Sequence, residues 1–317
     1  MSQHFLLSAN ARTLSLVKVM RLTDDEAFDT FKKIRWAENG GEAVCPRCGC
    51  AVCYEYKARR IFKCKSCHAQ FSVTTDTIFA SRKMAIRDLL AAIAIFVNGA
   101  KGVSALQLSR DLDCQYKTAF VLAHKLREAM GAEMKARTVK GSVEVDGAYF
   151  GGYVKPENRK EDRKDLRLKK NRTGKRRVVV VMRERNGKTF PFVCDSEHAS
   201  LGEVVRRVEP GTHVYADEAS CWDALHSRFK TDRINHSVEF ANEDVCTNQA
   251  ESFFSRLRRA EIGTHHHISG RYLQAYANEN AWREDYRRVS NGEQFAMVAS
   301  ATLAHSVSQQ WKGYWQR

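Results

Sequence analysis

The chain has 317 residues, 43% hydrophobic and 28% charged, a composition that excludes a fibrous or wholly disordered protein. Its 52 lysines and arginines against 37 acids give a formal charge of +15 and a pI near 9.4, which points to a polyanionic partner, nucleic acid ahead of an anionic membrane surface. The longest apolar run, Leu89 to Val97, is far shorter than the ~20 residues of a spanning helix, and the N-terminus lacks the pattern of an export signal. No membrane association and a cytoplasmic location are expected. In such a reducing compartment ten cysteines are poor disulfide candidates, and six of them crowd between Cys45 and Cys67.

Taken in chain order, the first domain expected is residues 1–80, a helical lead followed by a zinc ribbon. Cys45 and Cys48 in CPRCG, and Cys64 and Cys67 in CKSC, form a C-x2-C-x15-C-x2-C pattern with the spacing of a zinc site. Tyr54 to Phe62 alternates and reads as the hairpin that returns the second pair to the first. Four thiolates close a tetrahedral shell, so the Zn²⁺ is expected to be structural. Cys50 and Cys53 form a further CxxC, taken as non-ligands because the first pair carries the proline and glycine of a knuckle. Lys57, Arg59, Arg60, Lys63 and Lys65 give the ribbon a basic face that suits phosphate contact or plain solvation.

Residues 81–140 read as a helix-turn-helix-like segment. An apolar helix stops at Asn98-Gly99, where a left-handed cap is expected; Ser104 caps a short helix to about Arg110, and a longer helix runs from about Gln115 to Met130. Ala119, Leu122, Leu126 and Met130 share its buried stripe, which leaves Lys117, His124, Lys125 and Arg127 as exposed candidates for DNA contact.

Near Arg137 to Gly141 the texture changes to short β-like runs, which opens a third domain at 141–317. Ser142 to Asp146 reads as a first strand ending in an acid, Val178 to Met182 and Thr189 to Cys194 as the next two, Leu201 to Val208 as a helix, Thr212 to Asp217 as a fourth strand ending in an acid, and Ser220 to Phe229 as a helix. A further strand is expected near Arg233 to Phe240. The order βββαβα belongs to the ribonuclease-H-like class, in which strands one and four are neighbours. The fold class expected is therefore multidomain, mixed α and β.

A third acid lies on a helix beginning near Thr247. Ala250, Phe253, Phe254 and Leu257 form its buried stripe, while Asn248, Glu251, Ser255 and Arg258 recur along another face. Two aspartates and a glutamate suit hard divalent ions, Mg²⁺ or Mn²⁺, such as the pair that supports phosphodiester cleavage, and Arg258 would approach phosphate two turns along the helix. Singly, a strand-end aspartate is more often a turn residue and a helix-start glutamate a dipole partner; their order and spacing together favour catalysis.

At VEVDGAYFGG, YADEASCW and NQAESFFSRLRR, with CPRCG and CKSC, nearly the whole chain resembles the zinc-ribbon insertion-sequence transposases of the IS fifteen-ninety-five family. The resemblance implies a DDE-type recombinase with Asp146, Asp217 and the NxxE helix as its metal-binding triad, Mg²⁺ as cofactor and DNA ends as substrate. Family members differ in whether asparagine or acid counts as the third residue, so Asn248 and Glu251 are both candidates; Glu251 is preferred because a carboxylate binds a hard cation better than an amide. Where the family helix carries lysine seven residues after the acid, this chain has Arg258.

The charged insertion 153–177, including Lys169 and Lys170, is a candidate DNA-closing loop. The expected function is binding of terminal inverted repeats, metal-dependent cleavage and joining of 3′-hydroxyl ends to target double-stranded DNA, by a homo-oligomer assembled on the DNA. A zinc-dependent regulator with a non-catalytic second domain, and a hydrolytic nuclease that never joins, are the competing readings.

Overall fold

The computed structural model describes residues 4–151, 159–164, 176–234 and 246–314. Lys169 and Lys170, most of the 153–177 insertion and residues 235–240 of the last expected strand lie outside them. The chain forms two compact units: Met1–Ala132 together with Arg288–Arg317, and Glu133–Arg287.

The first unit begins with α1 (Leu16–Met20) and α2 (Asp24–Arg35). Thr23 and Glu26 form a reciprocal capping box that fixes the start of α2. The ribbon is an antiparallel three-stranded sheet of β1 (Cys53–Tyr56), β2 (Ile61–Cys64) and β3 (Gln70–Ser72). β1 and β2 are the expected hairpin, turning through Arg60 at φ +50°, with Cys53 opposite Cys64. Phe62 anchors it: its ring meets Trp36 edge-on at 5.2 Å and stacks on Phe71 at 5.5 Å, and Phe28 of α2 lies 6.2 Å away. Burying a side chain of this size contributes about 2 kcal/mol.

Next come α3 (Ile86–Asn98), α4 (Ala105–Asp111) and α5 (Tyr116–Ala132). Ser104 caps α4 by accepting from the Gln107 N–H at 3.1 Å, and Asp113, at φ +47°, turns the chain into α5, so the helix-turn-helix-like arrangement is present. Two details differ from expectation. Gly99 after α3 is extended, at φ −72°, and is required by crowding, because a Cβ there would lie 2.5 Å from Val103 Cγ2. Arg127 and His124, expected on the exposed face of α5, are 2% and 0% exposed. The reason is that a second side of α5 is covered: the Arg127 guanidinium lies 5.4 Å over Phe96 of α3, and the His124 ring stacks 4.3 Å from Trp311.

The second unit is built on a five-stranded sheet. Its strands are β4 (Ser142–Phe150), β5 (Arg177–Glu184), β6 (Thr189–Cys194), β7 (His213–Asp217) and β8 (Lys230–Ile234), in the order β6-β5-β4-β7-β8. The first three form the antiparallel meander; β7 pairs parallel to β4 and β8 parallel to β7. Strands one and four are neighbours, which is the ribonuclease-H-like arrangement. α6 (Leu201–Arg207) is the crossover between β6 and β7. Ser220–Ser227 forms a 3-10 helix where an α-helix was expected, since three residues per turn put Trp222 and Leu225 on one line and both are fully buried.

α7 (Asn248–Ala260) and α8 (Leu273–Asp285) complete the unit. α8 packs on β6 with Leu273, Tyr276 and Trp282 buried. Asp285 at its end, with 1% of its side chain exposed, is held by Arg137 at 2.8 Å, Arg183 at 3.1 Å and the Thr189 N–H at 2.9 Å.

The domain expected over 141–317 ends early. Helix α9 (Asn291–Ala304), started by a Ser290–Glu293 capping box, belongs to the first unit, where it packs against α2, α3 and α5. Asn291 joins three segments there: its side chain accepts from the Thr13 and Leu14 N–H groups, both at 2.8 Å, and donates to Leu14 O and Asn98 Oδ1. The regions expected at 1–80 and 81–140 likewise share this one unit up to Ala132. No helix among the described residues is long and apolar enough to cross a membrane.

Candidate metal centres and acidic site

In the ribbon, the Sγ atoms of Cys45, Cys48, Cys64 and Cys67 all lie within 4.8 Å of one another. The two knuckles do this by pairing crosswise: Cys45 faces Cys67 at 3.6 Å and Cys48 faces Cys64 at 3.5 Å. N–H groups of Ser66 and Cys67 point at Cys64 Sγ from 3.3 and 3.4 Å, and donation from Cys67 above all lowers its pKa to about 6. A thiolate is thus favoured before any cation arrives. Four soft donors around one point fit a tetrahedral Zn²⁺. Cys50 and Cys53 stand outside the quartet, their Sγ atoms against the backbone oxygens of Val52 and Cys50.

The acidic site is organised by β4. Asp146 lies in the middle of that strand, not at its end as expected, because pairing with β5 continues from Val143 to Phe150. Parallel pairing with β7 runs through Val145 and Ala216, so the next residues on the two strands are Asp146 and Asp217. One face of β4 carries Glu144, Asp146, Ala148 and Phe150, as alternation requires. α7 lies along that face. At one end Glu144 accepts from the Gln249 and Ala250 N–H groups at 2.8 and 3.0 Å; at the other, Phe150 meets Phe254 at 6.1 Å and the Arg258 guanidinium at 5.7 Å. Glu251, in the first turn, is thereby set beside Asp146.

Glu144 is a clamp that sequence reasoning missed. Fully buried, it takes its charge partner from Arg185, whose Nε donates at 3.1 Å while the guanidinium lies 3.7 Å over Tyr215 and donates to Cys246 O at 3.0 Å. A carboxylate at a helix start meets free N–H groups and the positive end of the dipole. Strands β4 and β7 are tied to the acid-bearing helix through these contacts.

Asp217 Oδ1 accepts from the Ala219 N–H at 3.1 Å, and Arg233 of β8 fixes the loop beyond by donating to Asp217 O and Ala219 O, both at 2.9 Å. A fourth carboxylate, Glu197, also missed, approaches from the opposite face of β4. It lies so close to Gly147 that a Cβ there would sit 2.8 Å from Glu197 Cγ. The signal was Gly147 itself: glycine inside a strand marks a close approach, and it reads equally well as the end of the strand.

These groups act on one another electrostatically. Burial, then the charge of Asp217, with Glu251 and Glu197 adding to it, raises the Asp146 pKa to about 7, against the Gly147 N–H bond at 2.7 Å that lowers it. Glu197 is pushed up as well, by burial and by Asp217. Among the described residues only the cysteine quartet draws its ligand atoms within 4.8 Å of one another. Carboxylate oxygens are hard donors, the chemistry that fits Mg²⁺ or Mn²⁺.

Asn248 is exposed as the first residue of α7, and Arg258 is exposed on the same helix beyond Glu251. In the first unit Lys117 is exposed in the first turn of α5, Lys125 is half-buried two turns on, and Arg127 is buried.

Comparison with known proteins agrees with this partition. Residues 138–285 match the family described as ISXO2-like transposase domain, and residues 22–70 match the transposase zinc-ribbon domain. An uncharacterized protein in transposable element ISH50 of Halobacterium salinarum is 24% identical over 295 residues, covering 89% of this chain and 98% of that protein. A chain in the crystal structure of the Mos1 strand transfer complex aligns over 67% of this chain and 78% of its own at 12% identity, with a TM-score of 0.22, too low to bear on the fold. With both domains in this order on one polypeptide, the chain belongs to the insertion-sequence transposases that carry a zinc ribbon ahead of an ISXO2-like transposase domain.

Proposed function

We propose that the protein binds the terminal inverted repeats of its element, cleaves the DNA ends by metal-dependent hydrolysis and joins the freed 3′-hydroxyls to target DNA. The observation that carries this reading is the setting of Asp146: Asp217 on the adjacent parallel strand and Glu251 on the helix lying over that strand both bear on its charge. Asp146, Asp217 and Glu251 would hold the divalent ions, which when bound activate the attacking oxygen and stabilise the leaving one. Asn248 can add an amide oxygen at the exposed rim. Arg258, steadied over Phe150, can hold a phosphate next to the acids, and Lys117 and Lys125 of α5 can contact DNA phosphates. The cysteine quartet would hold Zn²⁺ as a structural ion. Assembly as a homo-oligomer on DNA, in the cytoplasm, belongs to the same reading.

A joining assay tests it. Duplexes bearing the ends that flank the encoding gene, incubated with the protein, Mg²⁺ and a target plasmid, should give strand-transfer products, and Asp146→Asn should bind those ends without cutting them. Cutting without joining would identify a hydrolytic nuclease; end cleavage at the normal rate by Asp146→Asn would refute the triad.

A further inference from the structure

Within the first unit a cavity of about 530 Å³ lies between the loop Phe79–Met84, helix α5 and the C-terminal segment at Trp311–Tyr314. Its volume is that of a small-molecule site, and a DNA duplex is far too wide to enter it. Four cationic side chains line it, Arg82, Lys83, Lys117 and Lys125, and no acid does. Its wall is aromatic: Trp311 stands 4.9 Å from Tyr314, and Phe120 backs both at 6.0 and 6.4 Å. Trp311, 3% exposed, is fixed in place, whereas Tyr314 is only half-buried and can present its ring.

Cations beside clustered aromatic rings, in a space sized for one nucleotide, are the recognition chemistry of single-stranded nucleic acid: ammonium and guanidinium groups take the phosphates and the rings take a base face. Lys125 is suited to the first task. Burial lowers its pKa, only partly offset by Glu128, so an arriving phosphate restores the stabilisation its charge lost on leaving water.

We infer that this cavity is a binding site for an unpaired nucleotide of a DNA strand, with its phosphate at Lys83, Lys117 and Lys125 and its base against Tyr314. The inference deepens the reading of the chain as a DNA-handling transposase. Its test uses neither cleavage nor joining, so failure of one does not imply failure of the other. A single unpaired base is available without unpairing energy at a frayed or nicked end, which is where such a protein works.

The experiment is a binding titration of the full-length, zinc-loaded protein with two probes, a blunt duplex and the same duplex carrying a short oligothymidine overhang, read by anisotropy at fixed salt. The wild type should prefer the overhang. Tyr314→Ala should weaken overhang binding about tenfold or more and leave the blunt duplex unchanged, since loss of one stacking partner acts only on an exposed base. Lys83→Glu, on an exposed loop, should erase the overhang preference by a different route, and equal thermal unfolding temperatures would show that both variants are folded. If both variants keep the wild-type ratio between the two probes, or if the wild type shows no preference, the cavity does not hold a nucleotide and the inference fails.

Discussion

The ribbon and the acidic site hold their donors in opposite ways. In the ribbon, four sulfurs lie within 4.8 Å of one another, with backbone N–H groups stabilising Cys64 as thiolate. In the second unit, Asp146 of β4 holds its proton up to about pH 7, because it is buried and because Asp217 of β7 and Glu251 of α7 add their charge. A site that only braces the fold can close its shell. On the proposed reading the acidic site must admit phosphate, and a buried carboxyl pressed by neighbouring charge is the pattern of such a site.

The largest expected effect comes from taking away the ribbon's ion. Zinc-binding energy of about 10–16 kcal/mol in small thiolate sites is folding energy, so chelation or Cys64→Ser should unfold the β1–β3 sheet, seen as lost amide protection there. The second unit should keep its strand protection and its Mn²⁺ binding. Parallel loss of both would break the comparison.

Asp146→Asn comes next. It should slow end cleavage about a thousandfold or more with end binding retained, measured by single-turnover cutting beside a gel-shift titration.

Glu144 sharpens the contrast, because it organises the acidic site without being placed to bind metal. Glu144→Ala strands Arg185 and two helix N–H groups in a buried place and should lower stability by about 3 kcal/mol in urea, with Glu144→Gln losing less. Equal stability of Glu144→Ala and wild type would remove the clamp from the account.

The smallest effect is the pH dependence. The folded-state pKa of Asp146 lies above its ordinary value of 3.8, so the folded protein binds the extra proton, and this group's contribution is lost as pH rises from about 4 to about 7. Metal-free protein should lose about 1–3 kcal/mol over that window, a slope that Asp146→Asn flattens. Because cation and proton compete for the same oxygens, Mn²⁺ affinity should rise with pH and level off above 7. An unchanged slope in Asp146→Asn would place the proton elsewhere.

Much of this was legible in the chain. The cysteine spacing specifies the quartet, alternation marks the β1–β2 hairpin, short β-like runs mark the meander, and the stripe Ala250, Phe253, Phe254, Leu257 orients α7 so that Glu251 is left exposed. What escaped depends on tertiary neighbours. Glu144 and Glu197 are two acids among 37, distinguished only by what packs against them. Arg127 has the spacing of a surface residue, yet Phe96 covers it. The return of α9 to the first unit rests on Asn291 meeting residues 13, 14 and 98, contacts that no local pattern announces.

The most direct test is Mn²⁺ binding, followed by electron paramagnetic resonance at pH 8 with the ribbon zinc-loaded, in the wild type and in Asp146→Asn, Asp217→Asn and Glu251→Gln. Shared coordination predicts that each single substitution weakens binding about tenfold or more, while folding and zinc content stay constant. If the three variants, and the variant combining all three, bind Mn²⁺ as the wild type does, these side chains do not form a metal site.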